Sequence, residues 1–488
     1  MIKKHVLNIV IIFALIFIAW SGILSQTLIG EGGYAYFFKS VSTTFTYNYG
    51  AILLFNFLML IFKDNFFLYQ AFELASFILI GILFYFFVYE FTQKKEIALT
   101  AGILFGVNFT SSFEMIGSGY YGDFVERVFF LIPLLISFIL FFRFKNTKRK
   151  FYYIASLALC GFAIFLAHFN MFFMVFFLSY IAAAMITEIS SIKKVFGEIL
   201  LVSPFIFLSL FIVYLPILLG IGGFLSGTNF FAYLFSNANL IIFNSFRQLV
   251  VLTIPENILL MIVGNSPPLY KQSMHSLFIP VGLIYISAII FICKSEKLSR
   301  IPIVASFLVL PIAFVLNMFM RGDNVDHLGS GSRYLFAPSV GFAIFWAIFF
   351  AHVVKKLNKN FIYAFIIFWF IIQLSSVNKA IDKEMYSHTE TKKITAYLKN
   401  ISPRLAEDSI VIVPNVMSIY GAQFCNLYYG KKKTLFLPFY SKIEWLDQYG
   451  RQFNPQKDII LTYDDNVEKV MDVTWNYKKI IVSKNKSE

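Results

Sequence analysis

The chain has 488 residues, of which 58% are hydrophobic and 14% are charged, and its mean hydropathy of +0.72 excludes an ordinary soluble globular fold. Its net charge of +14 arises from 41 basic and 27 acidic residues. The basic residues cluster in short gaps between apolar runs, so the charge indicates membrane sidedness and gives no support for binding to nucleic acid.

The apolar runs have the length of membrane helices. Runs of roughly 18 to 25 residues match a hydrocarbon core of about 30 Å at about 1.5 Å per helical residue. The runs lack the period-two alternation of a membrane β-barrel, and lipid leaves only helices or closed barrels as spanning structures. The membrane part is therefore predicted to be all-α.

The predicted protein is polytopic, with about eleven transmembrane helices and an uncleaved first helix. The run at 47–62 is predicted to be an interfacial or re-entrant helix on the outer face, because counting it as a span would reverse every later loop. The predicted spans cover residues 6–25, 67–91, 96–116, 126–142, 151–167, 171–188, 198–220, 276–293, 301–319, 334–353 and 361–376.

The basic clusters predict the orientation of the chain. Short loops rich in Lys and Arg face the cytoplasm, so this is predicted to be a multi-pass protein of the cell membrane with a cytoplasmic N-terminus. An odd number of spans then places the C-terminal part outside. The clusters lie at Lys3/Lys4, Lys94/Lys95, Arg143 to Lys150, Lys193/Lys194, Lys294 to Arg300 and Lys355 to Lys359.

Composition divides the chain into two predicted domains. Residues 1–376 form the transmembrane domain, and residues 377–488, which are more polar, form a small extracytoplasmic α/β domain. A helix is predicted at 387–399. Strands are predicted at 410–413, 434–437, 459–462 and 480–482.

Ionisable residues gather in the predicted outer loops, where such residues near lipid mark candidate functional sites. Glu31 follows the first helix within the run GEGGY, whose glycines allow a backbone to approach a ligand closely. Asp123 and Arg127 precede the fourth helix. This pair is predicted either to orient a hydroxyl and a phosphate or to form an i,i+4 ion pair at a helix N-terminus.

The most polar membrane loop carries Arg321, His327 and Arg333. A guanidinium binds a phosphate with two hydrogen bonds, and the GSGS run before Arg333 offers backbone donors, so these side chains are candidate phosphate ligands. Alternatively, Arg333 anchors its helix at the membrane interface. No second His or acid at helical spacing completes a metal site around His327, so no cofactor is predicted and a divalent cation stays an alternative.

Some polar residues lie near membrane depth inside the predicted helices. Glu73 is in the second helix, and His168 and Asn170 are at the outer end of the fifth. Each of these is predicted to form an interhelical hydrogen bond.

The layout resembles the GT-C class of membrane glycosyltransferases, which includes the protein O-mannosyltransferases. In that class a first helix is followed by an outer loop with an essential acid, and Glu31 is in the matching position. The run SRYLFAPSVGF at 332–342 resembles the ERYLYLPSxGF run of tetratricopeptide-bearing O-mannosyltransferases. The chain departs from the class in having one acid in its first loop where many relatives have two, and Ser332 where the family has glutamate.

The resemblance implies transfer of a sugar from a polyprenyl-phosphate donor to a hydroxyl of a lipid, glycan or protein acceptor. Glu31 and Asp123 would then be catalytic, with Glu31 as general base. Charge on the departing phosphate would be stabilised by Arg127, Arg333, Arg321 and His327. The expected partners are the polyprenyl-phosphate sugar, the acceptor and membrane lipids, without nucleic acid.

Two other functions are compatible with the pattern. A transporter or flippase of lipid-linked saccharide predicts ionisable residues deep in the bundle and broken helices in corresponding halves. An O-antigen polymerase or ligase predicts a large outer loop, which would be the segment 221–275.

Overall fold

The computed structural model describes a bundle of helices and a small sheet. The described residues are 4–26, 49–108, 128–166, 172–188, 192–218, 252–254, 282–290, 300–321, 332–354, 359–413, 425, 429–431, 434–438, 453–454, 456–464 and 466–475.

Most of these residues are helical, as the sequence predicts. The helices in chain order are α1 (Val6–Trp20), α2 (Tyr49–Phe62), α3 (Phe66–Thr92), α4 (Lys95–Gly106), α5 (Leu131–Thr147), α6 (Lys150–Leu166), α7 (Phe172–Thr187), α8 (Ile192–Leu218), α9 (Arg300–Arg321), α10 (Ser332–Val354) and α11 (Lys359–Ile401). A 3₁₀ turn, Ser21–Ser25, prolongs α1, and residues 282–290 are also helical.

Four helices are long and apolar enough to cross a membrane. Among the described residues these candidates are Val6–Ser25, Phe66–Thr92, Ile192–Phe211 and Tyr363–Asp382. The prediction of a mainly helical, membrane-type fold is confirmed to this extent, and the count of about eleven spans stays a prediction.

Apolar side chains also cover the outside of these helices. On α1, Leu7 is 71% exposed and Ile18 54% exposed, while Ile12 and Ile16 on the opposite side are fully buried. A soluble helix would place polar residues on its outer face. The exposed apolar face of α1 is therefore suited to contact with lipid.

The helix ends agree closely with the apolar runs for α2, α3, α6, α7, α9 and α10, which begin and end within two residues of their predicted limits. Two helices are displaced: α5 is predicted at 126–142, and α8 at 198–220. The predicted helix at 276–293 is described only at 282–290, where it is helical. The interfacial position of α2 stays a prediction.

The helix predicted at 96–116 is shorter than expected. The predicted end at residue 116 is wrong, because α4 ends at Gly106. The Gly106 carbonyl accepts a hydrogen bond of 2.9 Å from Trp20 Nε1 of α1. Beyond it, Asn108 Nδ2 donates to the carbonyl of Leu252 at 3.1 Å. Both bonds hold this end of α4 against other parts of the chain, and the twelve helical residues of α4 cover only about 18 Å.

One end of the bundle holds the basic residues, and we call it the basic end. His5, before α1, bonds to Tyr85 near the end of α3, so α1 and α3 run antiparallel. Arg143 of α5 forms an ion pair with Glu90 of α3, with 2.8 Å between Nη2 and Oε1. Two further contacts at this end join Lys145 to Glu198 and Lys95 to the carbonyl of Lys4. The opposite end, where α1 ends and α3 begins, is the loop end.

Small residues allow the central helices to pack closely. A Cβ added at Gly81 of α3 would lie 2.4 Å from Cδ1 of Ile16 on α1. At Gly341 of α10 the added Cβ would lie 2.3 Å from the backbone oxygen of Ser306 on α9. Because the obstacle at Gly341 is backbone, α9 and α10 approach each other as closely as a glycine permits.

The helix that leads to the C-terminal part is longer than predicted. The sequence predicts one helix ending at 376 and another at 387–399, but α11 is continuous over 43 residues. Its length is about 65 Å, roughly twice the hydrocarbon core. Apolar residues end near 376, yet Lys, Ala, Glu and Leu continue as helix formers. The predicted domain boundary after residue 376 falls inside α11, and the division into two domains stays a prediction.

The C-terminal sheet contains β1 (Ile410–Val413), β2 (Leu435–Pro438), β3 (Ile459–Asp464) and β4 (Lys469–Asp472) in the order β2-β1-β3-β4. β1 pairs parallel with β2 and β3, and β4 forms an antiparallel hairpin with β3. The first three strands match the predicted ones. The sequence did not predict β4, and the strand predicted at 480–482 lies outside the described residues.

Apolar packing continues from the bundle into the sheet. Ile394 and Leu398 of α11 are fully buried, and they belong to the same buried cluster as Phe77 of α3 and Val411 of β1. The second half of α11 is therefore held by the core and does not act as a flexible linker.

The packing of α9 against α10 predicts a strong effect of one added methyl group. Gly341→Ala forces the Cβ against the Ser306 backbone, and we expect a loss of about 1–3 kcal/mol of stability, seen as a lower Tm in detergent. Gly197→Ala in α8 is the matched control, because nothing lies within 4 Å of its added Cβ. Equal Tm values for both variants would show that α9 and α10 are not in close contact.

Candidate functional site

Most of the predicted site residues lie outside the described part of the chain. These are Glu31, Asp123, Arg127 and His327. Arg321 is the last residue of α9 and Arg333 is the second residue of α10, and the structure describes only their backbone positions. The roles of all six residues stay predictions, and the helix ends that flank their segments can be located.

The segments that carry Glu31 and Asp123 depart from neighbouring helix ends. The 3₁₀ turn after α1 leads to residue 26, and the first segment begins there. The second segment begins after Asn108, close to the end of α4. Since Trp20 of α1 donates to the carbonyl of Gly106, the ends of α1 and α4 lie side by side at the loop end.

The second segment also returns to the loop end. Val128, which follows it, is fully buried. The ring of Phe129 stacks at 5.6 Å on Phe72, in the second turn of α3. Because α3 begins at the loop end, the chain on both sides of Asp123 and Arg127 is anchored there.

The end of α10 that carries Arg333 is at the loop end as well. Phe350 of α10 contacts Phe365 of α11 at 5.8 Å, and Phe342 contacts Trp369 at 6.5 Å, so α10 and α11 run antiparallel. α11 runs towards the loop end, where Ile381 lies against Gly22. The N-terminus of α10 is therefore also directed towards the loop end.

A backbone segment links these helices near the loop end. Trp369 Nε1 of α11 donates to the carbonyl of Thr253 at 3.1 Å, and Asn108 after α4 donates to the neighbouring carbonyl of Leu252. The helix ends bordering three predicted polar loops thus belong to one region of the molecule. The functional hypothesis from the sequence requires that the polar loops themselves also lie close together.

The second half of α11 contacts two other parts of the chain through lysines. Lys392 Nζ donates to the carbonyl of Ser25, just before the first segment. Lys399 Nζ lies 3.2 Å from Asp64 Oδ2, at the junction of α2 and α3. The sequence analysis did not identify either lysine, because each contact spans more than 300 residues and has no local signal.

A surface ion pair connects β4 to the same helix. Lys393 Nζ lies 2.7 Å from Glu468 Oε2. The hydrogen bond and the charge of Lys393 lower the pKa of Glu468, and the hydrogen bond from Glu468 raises the pKa of Lys393. Both partners are well exposed, so the pair orients the hairpin more than it stabilises the fold.

The sequence predicts that Glu73 forms an interhelical hydrogen bond. Among the residues that the structure describes, this prediction is wrong. Glu73 is 1% exposed, and its Oε2 has no hydrogen-bond partner. Gln70, one turn earlier on α3, is fully buried, and both of its amide atoms also lack partners. Their i,i+3 spacing within an apolar helix was the available sequence signal, and the sequence analysis did not include Gln70.

Metal binding has no support from the described side chains. No three His, Cys, Asp or Glu residues within the described ranges are grouped so that they would hold a metal ion. The divalent cation that the sequence analysis left open falls on residues outside those ranges and is not tested.

Comparisons with known proteins provide no family assignment. No protein-family model matches the sequence, and no curated protein is significantly similar to it. Function is therefore argued from the residues and their geometry.

The contact between Asp64 and Lys399 predicts a specific cross-link. With Cys160, Cys293 and Cys425 replaced by Ala, we expect the pair Asp64→Cys and Lys399→Cys to react with a short bismaleimide, measured as a compact band on gels. The matched control pair is Lys95→Cys with Lys399→Cys, because Lys95 lies at the basic end. Equal cross-linking of both pairs would contradict the position of α11.

Proposed function

We propose that this chain is a GT-C-like membrane glycosyltransferase that transfers a sugar from a polyprenyl-phosphate donor to an acceptor hydroxyl. The observation that carries the proposal is the grouping at one end of the bundle of the helix ends that border the segments with Glu31, with Asp123 and Arg127, and with Arg333. Residues on separate loops act on one substrate only if their loops begin and end close together.

The proposed topology has about eleven spans, with the N-terminus in the cytoplasm and the C-terminal part outside. The position of Lys4, Lys95, Arg143 and Lys145 at the same end of the bundle supports this topology, because short basic loops face the cytoplasm. The loop end, with the second half of α11 and the sheet, is then extracytoplasmic. The chemistry takes place at that outer surface of the cell membrane.

In the proposed reaction, Glu31 is the general base. Its carboxylate accepts the proton of the acceptor hydroxyl while the hydroxyl oxygen forms a bond to the anomeric carbon of the sugar. The bond between that carbon and the phosphate oxygen breaks, and its electron pair leaves with the polyprenyl phosphate. Attack opposite the leaving group inverts the configuration of the anomeric carbon.

Cationic side chains stabilise the leaving phosphate in this proposal. Arg127 and Arg333 neutralise charge that builds up on the phosphate oxygens, and Arg321 and His327 bind the same group. Asp123, four residues before Arg127, orients the acceptor hydroxyl. The lipid carrier brings the activated sugar to the membrane surface, so the reaction needs neither a nucleotide cleft nor nucleic acid.

The C-terminal part supports the proposed site by holding α11 over the loop end. Lys392 contacts Ser25, just before the segment that carries Glu31, and Lys399 contacts Asp64 at the junction of α2 and α3. Individually such exposed contacts are weak, but the buried side chains of Ile394 and Leu398 fix the helix that carries them. A fixed border limits the positions that a loop of this length adopts.

Transport of a lipid-linked saccharide is the second candidate function. The buried Glu73 favours it, because ionisable residues deep in a bundle are typical of transporters. The two functions differ in their products. A transporter moves the intact donor across the membrane, whereas a transferase releases polyprenyl phosphate.

The proposed transfer is tested with radiolabelled polyprenyl-phosphate sugars and purified protein in liposomes. We expect labelled acceptor and free polyprenyl phosphate from the wild type. Glu31→Gln should lower the rate by roughly 10²–10⁴-fold, because an amide does not accept the proton. Glu407→Gln is the matched control: it alters an exposed glutamate of the C-terminal part and should leave the rate unchanged.

Full activity of Glu31→Gln would overturn the assignment of the general base. Movement of intact donor across the bilayer, without release of polyprenyl phosphate, would support the transporter instead. In sealed vesicles of known orientation, activity only with donor on the side of the basic end would contradict the proposed topology.

A further inference from the structure

Two side chains of α3 present polar atoms to the apolar core of the bundle. Gln70 is fully buried and Glu73 is 1% exposed. In the described part of the chain, Oε1 and Nε2 of Gln70 and Oε2 of Glu73 have no hydrogen-bond partner. Residues three apart on a helix share one face, so the two side chains point into the same space.

The pair lies just below the loop end. Glu73 is seven residues from the start of α3, or about 10 Å along the helix. Four residues further along, the ring of Phe77 contacts Trp20 of α1 at 6.2 Å. The neighbouring Tyr69 donates its hydroxyl to the carbonyl of Lys63 at 2.8 Å, which directs that group away from the pair. The polar pair therefore lies within the bundle, close to the loop end.

The free energy of this arrangement is unfavourable for folding alone. Each buried polar group without a partner carries a free-energy cost, because it has lost its hydrogen bonds to water, and the cost is larger for a charged group. Ionisable residues inside membrane helices are typical of substrate sites. A bound ligand that completes the missing hydrogen bonds would recover this cost.

The chemistry of the pair selects the ligand. The carboxyl oxygens accept hydrogen bonds, and a carboxamide both donates and accepts them, so together they complement adjacent hydroxyl groups. The pair offers at most three oxygen ligands, one from Gln70 and two from Glu73, which are too few for a calcium ion that takes about six to eight. A phosphate is disfavoured, because the pair brings no cation to balance its charge.

We propose that Gln70 and Glu73 form a subsite for the hydroxyl groups of the sugar carried by the lipid donor. This inference rests on the proposed function and deepens it, because it assigns recognition of the sugar to α3 and leaves recognition of the phosphate to the loop arginines. In this subsite the carboxamide and the carboxyl bond to neighbouring hydroxyls of the sugar.

The subsite is tested by lipid binding to purified protein. The probes are undecaprenyl phosphate carrying mannose, glucose or arabinose, and bare undecaprenyl phosphate. We expect the wild type to bind at least one sugar-bearing lipid more tightly than the bare lipid. Gln70→Leu and Glu73→Met should each weaken binding of that lipid roughly tenfold and leave binding of bare undecaprenyl phosphate unchanged.

A second measurement separates a binding role from a structural one. Both substitutions remove unpartnered polar atoms at similar volume, so we expect each to raise the Tm of the lipid-free protein. Ser137→Ala is the control, because Ser137 donates a hydrogen bond of 2.8 Å to the carbonyl of Ser156. It should lower the Tm and leave the preference among lipids unchanged.

The proposal is overturned if the wild type binds no sugar-bearing lipid more tightly than the bare lipid, or if both variants keep the preference. A lower Tm with unchanged preference also overturns it, since that shows a purely structural role. Wild-type protein that prefers a sugar-bearing lipid but transfers no sugar contradicts the proposed function and leaves the subsite in place. If the wild type transfers sugar but both variants keep the lipid preference, the proposed function is supported and the subsite is contradicted.

Discussion

The lack of water in the hydrocarbon layer is the constraint on which the rest of this structure depends. A chain in that layer bonds its backbone within helices, and its charged side chains are paired or lie at helix ends. Arg143 with Glu90 and Lys145 with Glu198 satisfy this requirement at the basic end. At the loop end, indole and amide donors bond to carbonyls where helices stop. The two ends therefore differ in chemistry: ion pairs join helices of the bundle to one another at the basic end, and side-chain donors bond to backbone carbonyls at the loop end.

Antiparallel packing converts that difference into a candidate site. Antiparallel neighbours return the chain to the same end of the bundle, so segments far apart in sequence begin and end near one another. The second half of α11 reinforces the arrangement, because its buried face fixes Lys392 against Ser25, at the start of the first segment, and Lys399 against Asp64, at the junction of α2 and α3. Gln70 and Glu73 are exceptions to the rule that buried polar atoms are satisfied, and we propose that a ligand bound just below this end completes their hydrogen bonds.

The sequence was sufficient for features that depend on local pattern. Long apolar runs predicted most helices to within two residues, since lipid exposure and helix length leave little choice. The sequence did not predict features that depend on tertiary contacts. Gly106 stops α4 because its carbonyl bonds to Trp20 of α1, and α11 continues past residue 376 because Ile394 and Leu398 are buried. The hairpin strand β4 is mostly exposed and lacks an apolar alternation. The missing partners of Glu73 depend on neighbours from other helices, which no local pattern reveals.

The central claim is that the borders of the polar segments meet at one end of the bundle. It is tested most directly by the distance between spin labels placed on cysteines at positions 25 and 332, with a label at 148 as reference for the basic end. The account predicts that the 25–332 distance is clearly shorter than the distance from either position to 148. A 25–332 distance of about 35 Å or more, the length of α10, would place the two borders at opposite ends and contradict the account.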